Sequence, residues 1–404
     1  MKKILFINTV YNGGGAAHEA RKIYSFLSLN AFDGYFAYGR GKKIFDKKVF
    51  KFGNMVENAI HFLIVRFLGI EGWGTYFSTK KLINYIKKEK FDLVHLHNLH
   101  GYYVNFFMLV EFLKKENIPT IWSLQDEWIL TWMLAHSMGC SHCKTGKGKC
   151  TSSYFYPKTY NKLFAKFMLS KKRKAFENWD NLTIVSPANW LANEVKNSYL
   201  SDKDIRVIHN SADTDLFRPS LDKITLREIY NLPKDKKIIA FSATHFRDKN
   251  KGVIHILKVA DILKNENYLF LGMGNGILPK RENIKTFGYV SNIKTMTELL
   301  AVSDIFCFTS DVETQSLAVL EALSSGLPVL AFDILALREV IDKNVGSLVL
   351  FGDHNKLAEE VNIILKNKKL LMEKSENARN LVVNKFSKDQ ICNNYLKLYQ
   401  EILK

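Results

Sequence analysis

The sequence predicts an α/β protein made of two doubly wound domains. Three observations lead there. Short apolar runs alternate with longer stretches of helical periodicity, which is the pattern of parallel strands joined by crossover helices. The chain has 404 residues, more than one hydrophobic core usually organises, so two domains are expected. The glycine-bearing and polar motifs follow the apolar runs, at the carboxyl ends of strands where such sheets bind ligands.

The elements are expected as follows. Lys3–Asn8 reads as the first strand. The preceding Met1-Lys2-Lys3 resembles the start of a secretion signal, but Asn8 ends the apolar run too soon for one. Gly34–Tyr38, Leu93–Leu96, Thr120–Leu124 and Leu182–Val185 continue a first series of strands. A second series is expected to open with Ile205–Ile208. It continues through Lys237–Ser242, Tyr268–Leu271, Ile284–Phe287, Ile305–Thr309 and Pro328–Ala331. A hydrophobic content of 47% with 24% charged residues is that of a globular chain. No apolar run reaches the ~18 residues of a membrane span, so a cytoplasmic protein is expected.

The net charge of +18 is unevenly placed: residues 1–180 hold 28 Lys and Arg against 13 Asp and Glu, and residues 181–404 hold 30 against 27. The basic first half calls for an anionic partner, whether nucleic acid, anionic lipid or a phosphate-bearing acceptor. Nucleic acid is set aside, because no recognition helix, RNP aromatics or zinc finger is present. The densest segment is Lys162–Lys174, where Lys162, Lys166, Lys171, Lys172, Arg173 and Lys174 surround Leu163, Phe164, Phe167 and Met168. At helical spacing it suits a membrane surface, or else an ordinary helix with its apolar stripe in the core. Val56–Ile70 is a weaker candidate for the same role.

Of five cysteines, Cys140, Cys143 and Cys150 are clustered. With His136 they could supply four soft ligands to a structural zinc, although the spacing matches no standard finger; free thiols in a loop are the other reading.

The most telling motif is Glu313-Thr314-Gln315-Ser316-Leu317-Ala-Val-Leu-Glu321, placed after the apolar run Ile305–Thr309. It reads as strand, short loop and helix start. The helix N-terminus would offer backbone N–H groups near Ser316 and Leu317 to an anion. Glu321, about a turn further in, would accept two hydrogen bonds from a vicinal diol. Phosphate on amides and ribose on a carboxylate together hold a nucleotide sugar. Three further loops fit that picture. Lys251 opens a helix after Lys237–Ser242 and can hold a diphosphate as a point charge. Gly272 and Gly274 permit close backbone approach. Val290, after Phe287-Gly288-Tyr289, would contact a base. In the first half, Gly13-Gly14-Gly15 after the first strand would meet a ligand at a second helix N-terminus, and its spacing differs from the dinucleotide fingerprint.

The chain resembles the retaining glycosyltransferases of family 4, of GT-B architecture, and within them the branch similar to colanic-acid and capsule enzymes. The residues that carry the resemblance are Phe91 to Tyr103, including His95, His97, Asn98 and His100, and Trp122-Ser-Leu-Gln125-Asp126-Glu-Trp128. They also include the cysteine loop, Val185 to Leu191, Val207 to Phe217, and Glu313 to Pro328. The resemblance implies two Rossmann-like domains facing across a cleft. An acceptor-binding domain would span 1–209, with a last helix in 386–404 packing back on it, and a donor-binding domain would span 210–385. It implies a hexose moved from a nucleotide-diphosphate sugar to a saccharide or polyprenyl-linked acceptor in bacterial surface polysaccharide biosynthesis, at the inner face of the cell membrane.

By resemblance, Glu313, Lys251 and Gln125 would serve the chemistry. Glu321, Ser316, Leu317, Thr314, Gln315, His245, Arg247, Gly272, Gly274, Val290, Gly14 and Gly15 would bind the donor, and Gly13, Asn98, His100 and Asp126 the acceptor. Four positions depart from the family pattern. His245 stands where an Arg usually partners the Lys, and Gln125 where a His precedes Asp126. Ser211 replaces a Gly after Asn210, and Leu335-Ala336 a glycine pair before Glu339. Gln125 cannot titrate, so general-base work there is excluded. In a same-face retaining transfer the leaving phosphate oxygen can take the acceptor proton, and Lys251 with the helix N-terminus supplies the charge, so no catalytic cofactor is expected. His245 and Gln125 also admit a weakened family member acting as a binding subunit. An epimerase or a phosphorylase finds no support in the residues.

Overall fold

A computed structural model describes residues 1–150, 156–220 and 222–404. The chain divides into two units: Met1–His209 with Cys392–Lys404, and Asn210–Ile391. Residues 386–391 therefore lie with the second unit, and the return to the first begins at Cys392 rather than at 386.

The strands of the first unit are β1 (Lys3–Val10), β2 (Asp33–Arg40), β3 (Val49–Lys51), β4 (Leu93–Leu96), β5 (Thr120–Ser123), β6 (Leu182–Ser186) and β7 (Asp204–Val207). Its helices are α1 (Gly15–Asn30), α2 (Met55–Leu68), α3 (Tyr76–Glu89), α4 (Phe106–Lys115), α5 (Ser141–Thr145), α6 (Ala165–Phe176) and α7 (Asn189–Lys196). In the second unit the helices continue as α8 (Lys223–Ile229), α9 (Val253–Ile262), α10 (Ile293–Ala301), α11 (Leu317–Ser324), α12 (His354–Lys366), α13 (Lys368–Lys385) and α14 (Lys388–Ile402). Its strands are β8 (Lys237–His245), β9 (Tyr268–Asn275), β10 (Ile284–Thr286), β11 (Ile305–Phe308), β12 (Val329–Phe332) and β13 (Gly346–Val349).

Both sheets are parallel throughout, in the orders β3-β2-β1-β4-β5-β6-β7 and β10-β9-β8-β11-β12-β13. Helices cover both faces of such sheets, so central strands are apolar on both sides. β4, β5 and β11 are buried at every residue. The strand order reverses between β1 and β4 in one sheet and between β8 and β11 in the other. At such a reversal the connections leave in opposite directions and a crevice opens at the carboxyl ends. The glutamate loop and His100 follow strands at these two points.

The structure corrects one strand and adds two. β7, expected to open the second series, pairs with β6 at the edge of the first sheet, Thr183 opposite Asp204. Its alternately exposed residues suit an edge, where one face stays wet. β3 and β13 were not expected: β3 spans three residues, and β13 opens on Gly346 and Ser347, so neither offers an apolar run. Gly346 is needed in β13, because a Cβ there would lie 1.9 Å from the Val329 carbonyl oxygen.

The last helix changes unit along its length. Lys388 Nζ donates to Asp213 in the second unit at 2.7 Å. Further on, the Tyr395 hydroxyl meets Ser123 Oγ at 2.8 Å and Tyr399 bonds to His95, both in the first.

Candidate active site

In the second unit the site begins at the end of β8. The chain passes His245, makes a single 3-10 turn over Lys249–Lys251, and enters α9 through Gly252. The Asp248 carboxylate accepts from Asn250 N–H at 3.1 Å and shapes the turn. Gly252 sits at φ +60°, and a Cβ on it would lie 1.7 Å from the Thr309 carbonyl oxygen. Only glycine lets this loop lie against the end of β11. Three bonds then join the loops: Asp311 N–H and Ser310 Oγ to the Asn250 carbonyl, each 2.8 Å, and Thr309 Oγ1 to the Gly252 carbonyl, 2.9 Å. The result is a pair: Lys251 Nζ donates to Glu313 Oε1 at 2.6 Å, with Ser310 Oγ 3.1 Å from the same oxygen. The two side chains remain 29% and 16% exposed, so both are reachable from solvent.

Glu313 leads into α11. Ser316 occupies the position before the helix and its own side chain makes no cap; the first-turn N–H groups form the positive end of the helix dipole. Glu321 lies four residues into α11 from Leu317 and is half-buried. Residues four apart share a helix face.

Other expected donor residues have different surroundings. Gln315 is buried: its Oε1 accepts from Asn210 N–H at 2.6 Å, and its carbonyl accepts from Asn210 Nδ2 at 3.1 Å. It ties the start of the second unit to the glutamate loop. Thr314 and Ser316 are also buried. Gly272 and Gly274 lie inside β9, where a Cβ would strike the Phe241 ring at 2.6 Å and the Ala243 carbonyl at 2.2 Å. Packing therefore demands these glycines. His245 and Arg247 are exposed, with Arg247 N–H donating to His245 Nδ1 at 3.0 Å. Val290 is half-buried and packs on the core of its unit.

In the first unit, Gly13, Gly14 and Gly15 make the exposed turn from β1 into α1, with φ +94° and +79° at the first two. A Cβ on either of those two would meet nothing within 4 Å. Their left-handed backbone, rather than crowding, is what calls for glycine. Asn98, at the end of β4, accepts His100 N–H on its side chain at 3.1 Å and receives Thr9 and Tyr103 hydroxyls on its carbonyl. His100 Nε2 meets Asp126 Oδ2 at 2.5 Å, and Asp126 Oδ1 accepts Trp128 N–H at 2.9 Å. Burial works against the charged imidazolium, but the Asp126 carboxylate outweighs it and raises the His100 pKa. Asp126 in turn stays below its usual value, because His100 outweighs its own burial. Gln125 is half-buried beside this pair, lining a small cavity with His97, Asn98, His100 and Asp126.

Sequence reasoning missed the support beneath the pair. Glu71 is buried and accepts from Trp128 Nε1 at 2.7 Å and from Gly101 N–H at 3.3 Å. Lys172, counted above among surface cations, is fully buried. Its Nζ donates to the Trp128 and Thr131 carbonyls at 2.7 and 3.0 Å and stands 3.3 Å from the Trp128 ring centroid. Burial pulls its pKa down, with Glu71 and Asp126 acting against that. Only its helical position, in register with buried Met168 and Leu169, hinted at an inward direction.

The thiols of Cys140, Cys143 and Cys150 lie within 4.8 Å of one another. His136 is not in that group. Three thiols present a soft donor set, one ligand short of the four a structural zinc site usually has.

Two parallel α/β units, each with its polar loops at a strand-order reversal, and a lysine–glutamate pair beside a helix start define a GT-B glycosyltransferase. Comparison with known proteins agrees. Residues 36–216 match the model of Glycosyltransferase Family 4 and residues 222–381 that of Glycosyl transferases group 1. Together the two models match most of the chain, which is a glycosyltransferase related to family 4. It is 26% identical to the putative colanic acid biosynthesis glycosyl transferase WcaC of Escherichia coli, over 86% of this chain and 87% of that one. It is 24% identical to the N,N'-diacetylbacillosaminyl-diphospho-undecaprenol alpha-1,3-N-acetylgalactosaminyltransferase of Campylobacter jejuni, over 74% and 81% of the two chains. The fold of Anabaena HepE, solved in complex with UDP-glucose, superposes with a TM-score of 0.70 at 14% identity, covering 99% of this chain and 100% of that one.

Proposed function

We propose that this enzyme transfers a hexose, with retention of anomeric configuration, from a nucleotide-diphosphate sugar to a saccharide or polyprenyl-linked acceptor in bacterial surface polysaccharide assembly. The observation that carries the reading is the Lys251–Glu313 pair held beside the α11 start. A diphosphate leaving group needs positive charge and N–H donors that are already in place. Lys251 and the first-turn amides of α11 would provide them, and Glu321 would accept the ribose hydroxyls. Glu313 would face the transferred sugar, with Lys251 moving its charge from the carboxylate to the diphosphate when donor arrives. His100 and Asp126, with Gln125 and Asn98, would serve the acceptor. The names of the relatives support the polysaccharide context, and the UDP-glucose bound by HepE supports the donor class.

Proton NMR of the product tests the stereochemistry. Transfer from an α-linked nucleotide sugar should yield an α-glycoside; a β-glycoside would overturn the retaining assignment.

Peripheral attachment to anionic membrane is part of the reading. The basic segment keeps Lys162, Lys166, Lys171, Arg173 and Lys174 exposed, together with Leu163, Phe164 and Phe167, while Lys172 turns inward. No helix among the described residues is long and apolar enough to cross a membrane. Flotation with anionic liposomes should carry the protein upward and lose it in high salt. Equal flotation with neutral vesicles would dismiss the electrostatic contact.

A further inference from the structure

A cavity of about 1050 Å³ opens in the first unit between the end of β2, the segment after β3, and α2. The proposed reaction has not used it. Its rim carries Arg40, Lys42, Lys51, Arg66 and Lys158, and among the described residues no carboxylate lines it. Among the described residues none of these five stands in an ion pair. Like charges gathered around one concavity repel each other, so the arrangement favours an anion between them. The wall is apolar: Met55 and Phe62 of α2 line it, with the Tyr102 ring edge-on to Phe62 at 5.4 Å.

The hydrocarbon surface continues outside. Val56, Ile60, Leu63 and Phe67 of α2 are 49–67% exposed. A helix that shows apolar residues on its outer face as well as its inner one has a partner there. The cavity floor is firm. A Cβ on Gly53 would lie 1.9 Å from the Gly39 carbonyl oxygen, so the segment after β3 is pressed against the end of β2.

Cations at the rim, an apolar wall and an apolar path leading away fit one ligand chemistry. We propose that this cavity holds the phosphorylated end of a prenyl-type lipid, with its hydrocarbon chain lying along α2. The inference rests on the acceptor half of the function proposed above and gives that acceptor's lipid phosphate a place. The cavity lies at the large end of small-molecule pockets, which suits one lipid head with the first part of its chain.

The test uses the full chain and farnesyl diphosphate, a short prenyl diphosphate, in titration calorimetry. Inorganic diphosphate, farnesol and anionic phospholipid vesicles are the comparison arms. Farnesyl diphosphate should bind at one per chain, at least tenfold tighter than inorganic diphosphate or farnesol. Lys42→Glu with Lys158→Glu, both exposed positions, should weaken it at least tenfold and leave nucleotide-sugar affinity unchanged. Phe62→Ser should weaken farnesyl diphosphate and leave inorganic diphosphate as it was. The proposal is overturned if farnesyl diphosphate binds no better than farnesol. It is equally overturned if the folded double variant binds it unchanged, or if only the vesicles bind. A chain that binds farnesyl diphosphate but no nucleotide sugar would keep the cavity assignment and refute the donor reading instead.

Discussion

Lys251→Ala should lower kcat/KM for sugar transfer by about 10²–10³-fold, the cost of removing one preorganised group from a developing negative charge. The side chain is held in place: the turn that carries it is bonded to the end of β11 through Asn250 and Gly252, and its ammonium is already aimed at Glu313. The substitution also leaves the Glu313 carboxylate without its cation, so a bound diphosphate would face negative charge where it should face positive. Lys251→Arg should recover part of the rate, because charge is restored while the reach changes. Since Lys251 is partly exposed, the thermal midpoint should move little. Steady-state kinetics on the folded variants checks this. A Lys251→Ala enzyme within threefold of the parent would remove the lysine from the chemistry.

Glu321→Ala should weaken nucleotide-sugar binding by about a hundredfold, roughly the 3 kcal/mol carried by hydrogen bonds to a charged acceptor. Its place on α11 makes the expectation specific. Glu321 shares a face with Leu317 at the helix start, so a diphosphate at the amides would bring the attached ribose toward the carboxylate. Glu321 is half-buried, outside the fully buried core of its unit. Stability should therefore be nearly unchanged. Glu321→Gln should fall between, keeping one acceptor oxygen and losing the charge. Calorimetry with the folded variant checks it, and an unaltered affinity would rule Glu321 out as the ribose ligand.

The architecture was legible because a parallel sheet buries both faces of its strands. Leu93–Leu96 needed no revision, since every residue in it is apolar or paired and buried. β7 was misplaced because nothing in its four residues states which sheet it joins; the division between units falls just after it, at His209 and Asn210, with no change of composition. Glycine was the least readable residue. Gly272 and Gly274 are demanded by neighbours in the sheet and Gly252 by a carbonyl on the next loop, while Gly13 and Gly14 face open space at positive φ. All look alike in a sequence. Lys172 misled for a related reason. A polar side chain reads as available to a ligand or to water until its partners are known, and Lys172 donates to the Trp128 and Thr131 carbonyls. His136 was grouped with the cysteines by proximity in the chain, whereas in the folded chain only the three thiols come together.

Titration calorimetry of the 404-residue chain with UDP-, ADP-, GDP- and dTDP-linked hexoses tests the central claim most directly. At least one should bind at one per chain, and the same titration with Lys251→Ala and with Glu321→Ala should each lose most of that affinity. Binding of no nucleotide sugar up to millimolar concentration, or tight binding indifferent to both substitutions, would contradict the account.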